Sequence, residues 1–280
     1  MDKRIYLCLA HMSGKEQGFI KEAFDTNWVV PRGPNAFEEE LESFVGDNKK
    51  VVALSAGTAA IHLALIQLGI QSGDEVVCQS FTFCASANPV TYLGATPVFV
   101  DSEEDTWNMS PVLLEKAIKD RIAKTGKKPK AIIPVHLYGM PAKIDEICAI
   151  AEKYEIPVLE DAAEALGSEF NGRKCGTFGT FGALSFNGNK MITTSGGGAL
   201  VVADEAAKKQ TMYYATQARE PFPYYQHEHI GYNYRMSNIC AGIGRGQMTV
   251  LDDHIAHHRH VHDVYERAFA EMEGITLMYN

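Results

Sequence analysis

Apolar positions along the chain fall into short runs separated by longer stretches of helical period. Val51-Val52-Ala53-Leu54, Glu75-Val76-Val77-Cys78, Thr96-Pro97-Val98-Phe99-Val100, Ala131-Ile132-Ile133-Pro134-Val135 and Ile156-Pro157-Val158-Leu159 are short and mostly apolar, the pattern of strands buried on both faces. Ala60, Leu63, Ala64 and Leu68 recur at helical spacing, as do Ile144, Ile147, Cys148 and Ala151. Ser13 to Thr26 and Phe37 to Val45 read as two further helices, and Trp28 to Pro34 between them as a structured loop, because its prolines and glycine forbid regular helix. This alternation predicts an α/β fold: a mostly parallel sheet covered by helices on both sides. Ligands of such sheets bind beyond the carboxyl ends of the strands. The residues just after each strand are therefore candidates: Gly57 and Thr58, Phe81 to Phe83, His136, Asp161 and Ser185. The basic stretch Arg121 to Lys130, which contains Gly126 and Pro129, reads as a solvated turn without a role.

Composition narrows the partners. With 280 residues the chain can hold one large domain and part of another, and 46% hydrophobic content suits a buried core. Its 26 basic and 35 acidic residues give a net charge of -9, which speaks against a nucleic-acid surface and against a polybasic membrane patch. A small molecule is the expected partner. No run reaches the ~20 apolar residues of a bilayer span, and the start lacks the apolar core of a signal peptide, so a cytoplasmic setting is expected. The six cysteines (Cys8, Cys78, Cys84, Cys148, Cys175 and Cys240) are scattered without a Cys-x-x-Cys pair and read as small core residues.

Three stretches carry candidate chemistry. In Ser185-Phe186-Asn187-Gly188-Asn189-Lys190-Met191-Ile192-Thr193-Thr194-Ser195-Gly196-Gly197-Gly198, a lysine sits in a small polar loop between two apolar runs. A lysine held where strands end can be desolvated, which leaves a neutral amine able to attack a carbonyl; pyridoxal phosphate is the carbonyl cofactor this suggests. A solvated loop lysine would show the same residues. Ser55-Ala56-Gly57-Thr58 stands between a strand and a helix, where backbone amides and the helix dipole receive a phosphate, although a plain turn capped by Ser55 or Thr58 fits as well. Asp161 ends Val158-Leu159-Glu160-Asp161-Ala162-Ala163-Glu164. An acid that deep needs a cationic partner, such as a protonated pyridine nitrogen, unless it simply opens a helix as N-cap with Glu164 completing a capping box.

With these stretches in order, the chain resembles the DegT/StrS family of nucleotide-sugar aminotransferases. The resemblance runs the length of the chain and rests on Ser55-Ala56-Gly57-Thr58-Ala59-Ala60-Ile61-His62-Leu63-Ala64-Leu65, Glu160-Asp161-Ala162-Ala163-Glu164, the lysine stretch, and Gly231-Tyr232-Asn233-Tyr234-Arg235-Met236-Ser237-Asn238. It implies the aspartate-aminotransferase type of fold (fold type I), with a seven-stranded sheet in a large domain over 1–250. Residues 1–35 would then be an N-terminal arm, and 251–280 a linking helix and the start of a smaller domain. It also implies that Lys190 is the Schiff-base lysine and Asp161 the partner of the pyridine nitrogen, while Phe83 stacks on the ring. Gly57, Thr58 and Ser185 would cup the phosphate and Glu164 would lie near the ring hydroxyl. Asn233 matches a residue lent to the neighbour's phosphate across a homodimer. Two departures from the family pattern stand out: a short spacing in Gly33-Pro34-Asn35-Ala36-Phe37-Glu38, and a chain that stops at Asn280.

Ser185 to Lys190 with Gln217-Ala218-Arg219-Glu220 look like the branch that aminates carbon 4 of UDP-linked 4-keto-6-deoxy-N-acetylhexosamines for glycan or exopolysaccharide synthesis. The expected substrates are a nucleotide-linked keto sugar and glutamate, with Asn187, Arg219 and His227 as sugar-nucleotide contacts. In that reaction Lys190 would move the proton in both half-reactions. A sugar dehydrase is the alternative within the family, but there a histidine replaces the lysine; a non-catalytic sugar-nucleotide-binding protein is the alternative outside catalysis. Finally, His254, His258 and His262 recur every four residues, a spacing that can chelate a metal. Transamination needs none, so this face is expected to be solvated and no metal site is assigned.

Overall fold

The computed structural model describes residue 4, residues 9–29 and residues 35–278. The Gly33-Pro34 spacing falls partly outside them. The apolar runs become β1 (Lys50–Leu54), β2 (Glu75–Gln79), β3 (Thr96–Val100), β4 (Ala131–Ile133) and β5 (Leu159–Asp161). A small hairpin of β6 (Glu169–Phe170) and β7 (Arg173–Lys174) follows, then β8 (Phe181–Ser185) and β9 (Gly198–Val202). Outside the hairpin the strands lie side by side in the order β1-β9-β8-β5-β4-β2-β3, with β5 joined to β4 through the bridges Ile132–Val158 and Val135–Asp161. This is the expected mostly parallel seven-stranded sheet. Only β9 runs against its neighbours, β1 and β8. Antiparallel neighbours need no long crossover, so the chain leaves β8 at Ser185 and returns to pair with it at Gly198. The loop that carries Lys190 is thereby held at the carboxyl end of β8.

Helices cover both faces: α1 (Glu16–Asp25), α2 (Asn35–Val45), α3 (Gly57–Gln67), α4 (Asn88–Tyr92), α5 (Pro111–Thr125), α6 (Ile144–Lys153), α7 (Glu205–Ala215), α8 (Asn238–Met248) and α9 (Leu251–Phe269). Strand alternation sorts the core. Val52 and Leu54 of β1 pack with α3 residues, while Val51 and Ala53 pack with Phe37 and Leu41 of α2. On the far side, Val77 and Ile132 meet Leu114, Ile118, Ile144 and Ile147. α3 departs from the one-faced helix its spacing predicts. Every residue from Ala59 to Leu65 is buried, and Leu68 caps its end half-exposed, because the helix is sandwiched rather than laid on a surface. The basic stretch is not all turn either. Arg121 lies in α5, where its guanidinium grips Glu75 at 2.9 and 2.6 Å, and Gly126 ends the helix at φ 71°. Among the described residues no helix is long and apolar enough to cross a membrane.

One buried ion pair ties the sheet to the segment that follows α7. Glu38 of α2 is 1% exposed, accepts from the Ala53 N–H at 2.7 Å and pairs with the Arg235 guanidinium. Arg235 also donates to the Ala53 carbonyl at 3.0 Å, and the Tyr234 carbonyl accepts from the Ser55 N–H at 2.8 Å. Residues 234–235 are thus fastened to the carboxyl end of β1, directly before Gly57. Removing one member of such a pair strands the other in the core, at a cost of about 3–5 kcal/mol. Glu38→Ala is expected to lose that much in urea unfolding, and a loss below about 1 kcal/mol would show that the pair does not hold this corner.

Candidate functional site

The first part of the site is the start of α3. Its N-cap, Ala56, is extended (φ -166°, ψ 159°) and no side chain caps it, so neither Ser55 nor Thr58 plays the capping role the sequence allowed. The opening amides of the helix are left as donors for an anion. Ser185, at the end of β8, is packed against this turn: a Cβ added to Gly57 would stand 3.1 Å from Ser185 Cβ. One added to Gly198 would collide with the Gly57 nitrogen. The antiparallel return of β9 thus brings Gly57, Thr58 and Ser185 to one place.

The second part is the acid. Asp161, 5% exposed, ends β5 and is followed by turns rather than a helix, which removes the N-cap reading. Its Oδ2 accepts from Ser86 Oγ at 2.6 Å and its Oδ1 from the Ala163 N–H at 3.2 Å. Burial pushes its carboxyl up from the ordinary value, against the opposing effect of those hydrogen bonds and the Lys190 charge. A buried carboxylate whose hydrogen-bond donors are neutral is suited to receive a cation from a ligand. Glu160, one residue earlier, points to the other face. It accepts from the Gly176 and Gly179 amides at 2.8 and 2.6 Å and lies 2.9 Å from His136 Nε2. The Ala142 N–H donates to His136 Nδ1 at 3.0 Å, so the ring proton sits on Nε2 and is given to Glu160. His136, a candidate by its position after a strand, is therefore a fully buried anchor and not part of the open site.

The third part is the lysine. Lys190 Nζ lies 3.1 Å from Glu164 Oε1, with side chains 15% and 30% exposed, and Glu164 Oε2 accepts from the Tyr138 N–H at 2.8 Å. Phe83, 75% exposed, stands on the turn before the short helical turn Cys84–Ser86, whose Ser86 reaches Asp161. Beside Lys190 opens a cleft of about 920 Å³, bounded by Glu164, Tyr138, Trp107 and Asn189, and across from them by Arg259 and His262 of α9. Asn187 is exposed on the lysine loop, its amide 3.5 Å from Asn189.

Three expected contacts lie elsewhere. Asn233 is exposed and bridges to Thr216, and the Gln217 N–H donates to the Tyr232 carbonyl at 2.9 Å. His227 Nδ1 lies 2.8 Å from the Gln217 carbonyl and Arg219 stacks on Tyr225 at 4.3 Å. Arg219, His227 and Asn233 thus form one surface unit, and none of them lines the cleft beside Lys190. The histidine face of α9 is not uniformly solvated. His254 Nδ1 lies 3.3 Å from the Met191 carbonyl with its ring against His11, while His258 and His262 border the cleft. Among the described residues the group that gathers ligand atoms within 4.8 Å is His262, Asp263 and Glu266, not the three histidines. Ser86 and Tyr138 were not anticipated as site residues, whereas Thr82 falls within the Phe81 to Phe83 stretch expected after β2; the hydroxyl-rich run Ser80-Phe81-Thr82-Phe83-Cys84-Ala85-Ser86 was the available signal for Ser86.

Residues 11–279 match the DegT/DnrJ/EryC1/StrS aminotransferase family. The chain is 53% identical over 280 residues, 99% of it and 72% of the relative, to Bacillus subtilis EpsN, whose name gives pyridoxal phosphate-dependent aminotransferase as a provisional activity. It is 40% identical over 258 residues, 91% of it and 69% of the relative, to a GDP-perosamine synthase of Escherichia coli. Among solved structures, a DegT DnrJ EryC1 StrS aminotransferase from Brucella abortus superposes with a TM-score of 0.90 at 31% identity, covering 95% of this chain and 71% of that one.

The tight return of β9 makes a contrast between two glycines. Gly198→Ala places a methyl against the Gly57 nitrogen, whereas a Cβ at Gly188 meets nothing within 4 Å. Overpacking of this kind costs about 1–3 kcal/mol, and an open surface site stays within about 0.5 kcal/mol. Urea unfolding of Gly198→Ala and Gly188→Ala is expected to show that difference, and equal stabilities would contradict the packing at the start of α3.

Proposed function

The chain belongs to the DegT/DnrJ/EryC1/StrS aminotransferase family, and on that premise we propose that it transfers an amino group from glutamate to carbon 4 of a nucleotide-linked 4-keto-6-deoxy sugar, for glycan or exopolysaccharide synthesis. The observation that carries the reading is the convergence, at the carboxyl ends of β5 and β8, of a largely buried lysine, a buried acid with neutral donors and an uncapped helix start. Those residues fit pyridoxal phosphate. The amides at Gly57 and Thr58 with the Ser185 hydroxyl would hold its phosphate, Asp161 its ring nitrogen and Phe83 a ring face, while Lys190 would bind its aldehyde carbon. When bound, the cofactor supplies an electron sink for the bond broken at the amino acid's α carbon.

The protein's own part is to hold and move protons. Asp161, kept from water on β5, retains a proton on the ring nitrogen, and such a pair at ~4 Å is worth about 4 kcal/mol at an effective dielectric near 20. Lys190 Nζ is the base that takes the proton from the α carbon and returns one to sugar carbon 4. Glu164, 3.1 Å from that nitrogen and steadied by the Tyr138 amide, orients it between the two tasks. The same reading includes a cytoplasmic homodimer in which the exposed Asn233 reaches the partner's phosphate. Residues 1–250 would form the large domain, with 1–35 as its arm, and α9 would lead from it toward a smaller one.

The direct test supplies glutamate with UDP-, dTDP- and GDP-linked 4-keto-6-deoxy sugars, the UDP-linked N-acetylhexosamine among them, and identifies the product by mass and NMR. A 4-amino sugar with one of them is expected, and no amination of any sets the reading aside. Lys190→Ala is expected to lose the visible absorbance of the bound cofactor and at least about 100-fold in turnover, the lower end for a general acid–base. A yellow, active variant would displace Lys190 from the reaction.

The nucleotide end generates a separate expectation. A diphosphate calls for cationic or hydrogen-bonding groups, and Arg219, His227 and Asn187 are the exposed candidates on the two loops. His227→Ala should raise KM for the sugar nucleotide and leave the glutamate half-reaction unchanged. Equal losses in both half-reactions would mean that its bond to the Gln217 carbonyl is structural.

A further inference from the structure

The acid at the end of β5 is held by a part of the chain that the resemblance does not mention. Ser86 is fully buried, and its hydroxyl donates to Asp161 Oδ2 at 2.6 Å. With that proton committed to an ionised Asp161, the 2.7 Å contact between Ser86 Oγ and Thr82 Oγ1 has to be donated by Thr82. The chain of hydroxyls then has one direction, from Thr82 through Ser86 to the carboxylate. Hydrogen bonds to an ionised acceptor are shorter and stronger than neutral ones, and consecutive bonds polarise each other.

The same residues close a turn. The Ser86 N–H donates to the Phe83 carbonyl at 3.1 Å, and Phe83 presents its ring outward from that turn at 75% exposure. The turn that offers the aromatic face is therefore the one that supplies the acid's donor. We propose that Thr82 and Ser86 form a positioning relay that keeps Asp161 ionised and fixed relative to Phe83, so that the ring-stacking group and the ring-nitrogen acid act as one unit. This rests on the pyridoxal-phosphate reading above and adds two residues to it. Neither is catalytic, since each acts through Asp161.

The Ala163 N–H, 3.2 Å from Oδ1, shares this task with the relay. Lys190 favours its charge and Glu164 opposes it. From β2, the buried Cys78 thiol is pushed up to about 12 by burial and by Asp161, so it faces the acid uncharged. Without the Ser86 donor, burial is opposed by less, and the proton of the ring nitrogen is held less firmly.

The test compares the wild-type protein with Ser86→Ala and with Thr82→Val, which keeps the side-chain shape and loses the hydroxyl. Cofactor affinity is read by titrating pyridoxal phosphate against visible absorbance. Ser86→Ala is expected to weaken it about 10- to 100-fold, the range for a lost hydrogen bond to a charged group. Thr82→Val should move in the same direction by less. In Ser86→Ala the rate of the glutamate half-reaction should fall with glutamate affinity unchanged. The pH midpoint of the cofactor's absorbance change should also rise, because a ring nitrogen without its proton no longer disfavours one at Lys190 Nζ. A purely structural serine would leave that midpoint in place. Wild-type affinity with an unmoved midpoint in Ser86→Ala overturns the relay alone, whereas failure of the wild-type protein to take up pyridoxal phosphate overturns the underlying reading and the relay with it.

Discussion

A strand cannot send two consecutive side chains to the same face, and at the end of β5 this constraint divides two neighbouring carboxylates between two tasks. Glu160 turns inward, where the Gly176 and Gly179 amides and the His136 imidazole satisfy it. Those contacts hold the connection that leads from β5 into β8. Asp161 turns the other way, to Ser86 and the Ala163 amide. One acid is fully served by the fold and the other is left with capacity for a ligand. The main chain joins them further, since the His136 N–H donates to the Asp161 carbonyl at 3.1 Å. The inner carboxylate thus steadies the outer one without touching what the outer one binds.

The reversal of β9 plays the matching part for the other groups. Because β9 pairs antiparallel with β8, the loop carrying Lys190 begins and ends at the same end of the sheet, the end at which β5 delivers Asp161. Pairing of β9 with β1 on its other side sets Gly198 against Gly57. The start of α3 is thereby pressed to Ser185. A single antiparallel strand in an otherwise parallel sheet gathers the lysine, the uncapped amides of α3 and the hydroxyl beside the acid, and the Glu38–Arg235 pair fixes the corner of β1 from which α3 departs.

Much of this was legible along the chain because it is local. Apolar runs too short for helices gave the strands, and the residues after them gave Gly57, Thr58, Asp161 and Ser185. What failed was whatever depended on a partner far away in sequence. Ser86 lies 75 residues from Asp161, and no spacing connects them. Arg121 looks like part of a solvated basic turn until Glu75, 46 residues earlier, is seen to receive it. The capping readings of Ser55, Thr58 and Asp161 failed for a different reason. Local propensity offers a side chain to an amide, but tertiary packing placed Ala56 at the cap and ended β5 in turns. His136 sits after a strand as the rule requires, yet the Glu160 carboxylate drew it into the interior.

The Lys190–Glu164 contact shows how the two halves of the site are balanced. The Glu164 carboxylate lies 3.1 Å from the amine. Glu164 is 30% exposed on its side chain and shares its other oxygen with the Tyr138 amide, so solvent and a second donor weaken its hold on the lysine. Asp161 is nearly sealed from water, so solvent does not screen its charge in the same way. A ligand that brings a cation to Asp161 therefore gains more than one that brings it to Glu164, and the ammonium can be released from Glu164 at smaller cost. The depth of each carboxylate is set by where β5 ends and where the following turn begins, and it makes Asp161 the one of the two that water screens least.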